Sequence, residues 1–135
     1  MSQEDLEVVQ RAREAAWVRK DNETALALYD PEVQIDLTAV PHLGQSRVYF
    51  GLEGVQEWLR DLLASFGDMK VEVEEWIDAG ERVIAMVHTY WRSRRSGVPV
   101  DKLEAHLWTV RDGLLVRLQI FPTRAEALEA AGLSE

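Results

Sequence analysis

The sequence predicts an α+β domain in which a curved antiparallel sheet carries helices over its concave face. Three observations lead there. Apolar residues in the N-terminal half recur at three- and four-residue steps, the helical period, whereas from Met69 onward they alternate, the strand period. The runs on either side of Arg111-Asp112-Gly113 form an antiparallel hairpin, because that short polar connection contains a glycine able to take positive φ. Three helices with one early strand, then a four-strand meander and a terminal helix, bury their apolar stripes on the face of the meander.

The first helix covers residues 3–20. Leu6, Val9, Arg13 and Ala16 follow the helical step with Trp17 adjoining, Ser2 caps with Asp5 three positions on, and Arg19 and Lys20 suit the negative end of the helix dipole. Arg13 is the odd member of this stripe: a side chain snorkelling from its edge explains it without function, and a cation inside a cavity is the alternative. Asp21 and Asn22 break the helix, and a short one over 23–29 ends before Pro31. Residues 33–37 are a strand with Val33, Ile35 and Leu37 on one face and Gln34 and Asp36 on the other. Residues 38–50, with Pro41, His42, Gly44 and Gln45, form a long loop with a brief extended piece, and such loops often border a site. Gly51 precedes a helix through Phe66 in which Leu52, Val55, Trp58, Leu59, Leu62 and Phe66 form a wide apolar face that packs on the sheet; Gly51 and Gly54 meet the turn geometry of its entry. Strands follow at 69–77, 82–94, 98–110 and 114–121, and Thr123 caps a last helix over 124–131, with Glu126 as its capping-box partner and Gly132 as its stop.

A length of 135 residues fits a single domain, 1–135, large enough for one core. The apolar share of 47% places the chain with folded proteins, and the formal charge of -9 argues against nucleic acid or an anionic membrane as partner, since both reward clustered Lys and Arg. The cluster of Arg92, Arg94 and Arg95 adjoins Gly97 and Pro99, where a solvated turn accounts for it. Without cysteine, disulfides, thiolate metal sites and a cysteine nucleophile are excluded. The start MSQEDLEVVQ has no signal pattern and no apolar run approaches the about 20 residues that span a bilayer, so a cytoplasmic protein is the expectation.

Candidate chemistry lies at 103–109. Glu104, His106 and Trp108 share one face, and Leu103, Ala105, Leu107 and Thr109 the other. A carboxylate and an imidazole therefore point the same way, about 7 Å apart along the strand. His106 with Glu104 or Asp36, assisted by Arg13, is a candidate acid and base pair; a buried histidine tied to a tyrosine or backbone group is the plain structural reading. His88 and Tyr90 oppose Val87, Thr89 and Trp91, so one set alone can face a pocket. His42 is either solvent-exposed on its loop or closes over a ligand. The histidines lack metal-ligand spacing and no HExxH, GxSxG, P-loop or dinucleotide fingerprint occurs, so no metal and no cofactor is expected. Trp17, Trp58, Trp76, Trp91 and Trp108 are many tryptophans for this length; core packing explains most of them, and an aromatic-lined cavity suits a flat or polycyclic apolar ligand. The expected lining is Trp17, Tyr29, Trp58, Leu62, Trp91, Trp108, Leu118 and Ile120.

Several stretches carry a resemblance: Tyr29-Asp30-Pro31-Glu32-Val33 before the first strand, Tyr49-Phe50-Gly51-Leu52-Glu53-Gly54-Val55 opening the third helix, Ser96-Gly97-Val98 at a strand turn, Ala105-His106-Leu107-Trp108-Thr109-Val110-Arg111-Asp112-Gly113, and the ending Arg124-Ala125-Glu126-Ala127-Leu128-Glu129-Ala130-Ala131-Gly132-Leu133. Over nearly its whole length the chain resembles the SnoaL-like branch of the nuclear transport factor two and ketosteroid isomerase superfamily. The resemblance implies a conical domain with a pocket under the helices, commonly dimerising through the outer sheet face, hence a homodimer. It places His106 where ketosteroid isomerases carry the carboxylic acid of their oxyanion hole, and Arg13 close to their oxyanion-hole tyrosine. Their base aligns with Leu37, with Asp36 one residue off and facing oppositely, which sets steroid isomerisation aside. The family's phasing turns Val87, Thr89 and Trp91 inward.

The superfamily spans many activities, so function rests on the site. The leading expectation is a domain that binds a small apolar or aromatic molecule, with cofactor-independent proton transfer of the cyclase, isomerase or dehydratase type. A non-catalytic binding or dimerisation module is the alternative. Epoxide hydrolysis through Asp36, Arg13 and Asp101 is a weaker third.

Overall fold

The computed structural model describes residues 2–40 and 47–133, so His42 and its neighbours lie outside the described residues. The N-terminal stripe folds as helix α1, Gln3–Arg13, and the Ser2 hydroxyl accepts the Asp5 N–H at 3.0 Å, the predicted cap. The predicted α-helix changes character at its C-terminal end: Glu14–Val18 is a π turn, with the Arg19 N–H reaching the Glu14 carbonyl at 3.0 Å. Apolar spacing does not reveal this, because α and π turns use nearly the same backbone dihedrals. Asp21 caps helix α2, Asn22–Leu26. The predicted extension of that helix to Tyr29 is replaced by strand β1, Tyr29–Asp36, since Pro31 forces the residue before it into extended geometry. Strand β2, Val48–Phe50, pairs antiparallel with β1.

Helix α3, Gly51–Ser65, starts at a glycine with φ 72° and is tied to β2 by a hydrogen bond from the Tyr49 hydroxyl to Asp61 at 2.7 Å. Gly54 has a reason beyond turn geometry: a Cβ there would stand 3.0 Å from the Tyr49 backbone carbon. The helix stops one residue before Phe66, which opens strand β3, Phe66–Ala79, and stacks on Trp91 at 4.6 Å between ring centroids. Strands β4, Arg82–Ser93, β5, Pro99–Arg111, and β6, Leu114–Phe121, complete the meander, and Asp112 and Gly113 both take positive φ in the last hairpin, as a two-residue turn of that hand requires. Helix α4, Arg124–Ala130, has the predicted Thr123 and Glu126 cap.

The sheet order is β2-β1-β6-β5-β4-β3, curled into a half-barrel. All neighbours are antiparallel except β1 and β6, which are parallel, so the expected antiparallel sheet is in fact mixed. A parallel pair needs a long crossover, and here α3 and the meander supply it. Helices α1 and α3 cover the inner face, where Val9, Val33, Ile35, Trp58, Leu62 and Leu118 form the main core. Helix α4 lies on the opposite face, packing Ala127 and Leu128 against Ile84, Met86, Ala105 and Leu107. The meander is thus apolar on both faces at β4 and β5, and one helix covers the second. Among the described residues no helix is long and apolar enough to cross a membrane.

Candidate functional site

Strand alternation puts Glu104, His106 and Trp108 on the inner face of β5, with Val87 and Ala85 of β4 beside the first two and Ile120 and Leu118 of β6 beside the last two. Both polar residues are inside the protein: Glu104 is 1% exposed and His106 7%. Together with Trp17, Trp58, Leu62, Met69, Val71, Thr89, Trp91 and Ile120 they border a cavity of about 20 Å³. That volume holds one water, against the roughly 300 Å³ at the small end of ligand pockets. Met69 and Val71 were not expected at the cavity, and Thr89 was expected to face inward without being named as lining. Extending the His106 phase through the register pair Val71 and Thr89 finds two of them.

Four polar atoms in this region are buried without a hydrogen-bond partner among the described residues: His106 Nδ1 and the indole nitrogens of Trp58, Trp91 and Trp108. The first three belong to residues on the cavity wall. Trp108 instead packs on Tyr29, at 6.3 Å between ring centroids, and with Tyr29 and Leu118 it sits in the core away from the cavity.

Burial holds the His106 pKa well below 6.5, and the charge of Arg13 adds to the effect. The imidazole is therefore neutral at neutral pH, with one ring nitrogen free to donate. Arg13 is 8% exposed; burial lowers its pKa to about 10, and Tyr29 partly offsets this. Burial likewise raises the Tyr29 phenol, with Arg13 opposing. Arg13, Tyr29 and His106 form one buried electrostatic group. Arg13 also borders a second hollow, a groove of about 200 Å³ lined by Gln10, Glu14, Trp17, Val18, Val71, Val73 and Trp76. Trp17 and Val71 are common to groove and cavity.

Asp36 is not brought to His106. It shares the Gln34 face of β1, opposite Val33 and Ile35, and accepts hydrogen bonds from the Thr38 hydroxyl at 2.6 Å and Arg117 at 3.3 Å. Burial raises its pKa, but the Thr38 and Arg117 contacts outweigh that and hold the carboxyl below its usual value. Asp101 is on the outer face too, against His88 Nε2, while Glu74 meets His88 Nδ1 at 2.7 Å. Asp36, Arg13 and Asp101 therefore do not converge as epoxide hydrolysis requires. A larger hollow, about 910 Å³, is an open, polar surface depression where Asp30, Glu32, Arg82 and Arg111 mix both signs of charge; it does not touch His106.

The profile of the SnoaL-like domain family matches residues 9–118. Curated protein sequences give no match. An NTF2-like protein of unknown function from Burkholderia pseudomallei superposes with a TM-score of 0.78 at 22% identity, covering 96% of this chain and 97% of that one. A putative SnoaL-like polyketide cyclase from Jannaschia gives 0.76 at 20% identity over 97% and 94%, and a Mycobacterium tuberculosis protein in complex with estradiol-17beta-hemisuccinate gives 0.74 at 16% over 91% and 96%. These likenesses concern the fold, and the profile match spans most of the chain. Curled sheet, helix placement and profile agree: the chain belongs to the SnoaL-like domain family.

Proposed function

We propose that this chain binds a small apolar or aromatic molecule between sheet and helices and catalyses a proton transfer on it without a cofactor, of the cyclase, isomerase or dehydratase type. One observation carries the reading: Glu104 and His106 share the inner face, nearly fully buried, next to a cavity whose Trp58 and Trp91 indole nitrogens have no hydrogen-bond partner among the described residues. A region selected for packing alone has no use for these groups, because burying polar atoms costs free energy that Leu or Phe avoids. The roles follow from charge. Neutral His106 donates a hydrogen bond to a substrate oxygen on which negative charge develops, Arg13 favours that charge through space, and Glu104 takes the proton. The Jannaschia cyclase-like fold and the mycobacterial complex support a small-molecule role for such a scaffold.

The cavity size favours a second reading, a binding or dimerisation module with its interior packed shut. Ligand screening followed by His106→Ala and His106→Gln separates the two. For an enzyme, kcat on the identified substrate falls about 100-fold or more while binding changes little. Unchanged turnover removes His106 from the mechanism, and a ligand bound without turnover selects the module. We also infer a homodimer formed through the outer sheet face, where Leu103 is 46% exposed beside His88.

A further inference from the structure

The next inference rests on the pocket reading above and names the class of molecule the pocket takes. Arg13 makes no ion pair or hydrogen bond among the described residues, although it is 8% exposed. The titratable groups that act on it, Tyr29 and His106, are both neutral at neutral pH. A buried guanidinium without a counter-charge is costly, and Met or Leu would fill the same stripe position without that cost. Among the described residues no carboxylate pairs with Arg13 itself; Glu104 borders the cavity and not the groove.

The groove beside Arg13 has apolar walls in Trp17, Val71, Val73 and Trp76. Glu14, at its rim, has Arg19 at 3.9 Å. Trp17 and Val71 also line the inner cavity, so these two side chains are what separates the groove from the space facing His106. Trp17 belongs to the π turn Glu14–Val18, and Val18 beside it is 73% exposed, so the segment bearing this partition has little packed on its outer side. Single π turns within α-helices recur at functional sites.

We propose that groove and cavity are one site for an aromatic anion, a flat apolar body bearing an anionic oxygen that pairs with Arg13 once Trp17 moves aside. The body lies along Trp76 and Val71 and reaches towards Trp58 and His106. Charge pairing here is stronger than on the surface, since the guanidinium is mostly withdrawn from water.

Calorimetric titration with 2-naphthoate and with its neutral isostere 2-naphthamide at pH 7.5 tests this. The wild type should bind naphthoate about tenfold tighter. Arg13→Met and Arg13→Gln should bring the two affinities together while leaving naphthamide binding within about twofold, and Arg13→Lys should retain part of the preference. Near-ultraviolet circular dichroism verifies that each variant is folded, and having three variants keeps the test open if one is not. Equal affinities in the wild type, or a preference that survives both neutral substitutions, overturns the assignment of Arg13 and leaves the pocket reading standing. Failure of both probes to bind the wild type overturns the pocket reading as well.

Discussion

His88 and His106 stand on opposite faces of neighbouring strands and titrate in opposite directions. Hydrogen bonds to Asp101 and then Glu74 raise the His88 pKa above 6.5, whereas burial and Arg13 lower that of His106. For His88 the folded state binds its proton more tightly than the unfolded chain does; its stabilising contribution is full below 6.5 and fades as pH rises through the folded value. For His106 the unfolded chain holds the proton more tightly, so stability is lost as pH falls below 6.5. Urea midpoints between about pH 5 and 9 should show this: His88→Gln flattens the upper part of the profile, and His106→Gln flattens the lower part. Identical pH profiles for wild type and both variants would sink the assignment. That Glu104 and His106 share a face was readable because strand alternation is strict, whereas its inward direction depends on which side the helices pack. Asp36 was readable as facing away, but its attachment to Arg117 was not, since those residues are distant in sequence and meet through the parallel pairing of β1 with β6.

At the level of elements, the contact between α3 and β2 depends on an absent side chain. With Cβ only 3.0 Å from the Tyr49 carbonyl carbon, Gly54→Ala forces backbone apart and should destabilise by about 1–3 kcal/mol, measured by urea unfolding. An unchanged midpoint would mean the helix shifts freely. Ser-Gly and Asp-Gly turns, the Thr123 cap and the strand periods were all legible because each is a local signal. The π turn was not, as nothing in the sequence Glu-Ala-Ala-Trp-Val separates π from α. The short helix was placed over 23–29, ending before Pro31, while the true state of Tyr29 is fixed by pairing with Leu115 far along the chain. Cavity volume depends on rotamers on six elements, which no periodicity encodes.

For the whole molecule, a formal charge of -9 per copy means that self-association works against repulsion. If the outer sheet face joins two copies, sedimentation should show a dimer that tightens as salt is added, and Leu103→Glu, placing a charge at the centre of that face, should give monomers. A wild type that sediments as a monomer at all salt concentrations would end the dimer proposal. The parallel pair bears on how the chain reaches its fold. Asp36 and Arg117 are 81 positions apart, so β1 cannot find its inner neighbour until nearly all of the meander has formed. Closing β1 against β6 is the longest-range strand pairing in the sheet. Loop-closure entropy makes this late step a natural rate limit. Residues 114–121, which seal the floor beneath His106, are therefore also the clasp that commits the chain to its structure.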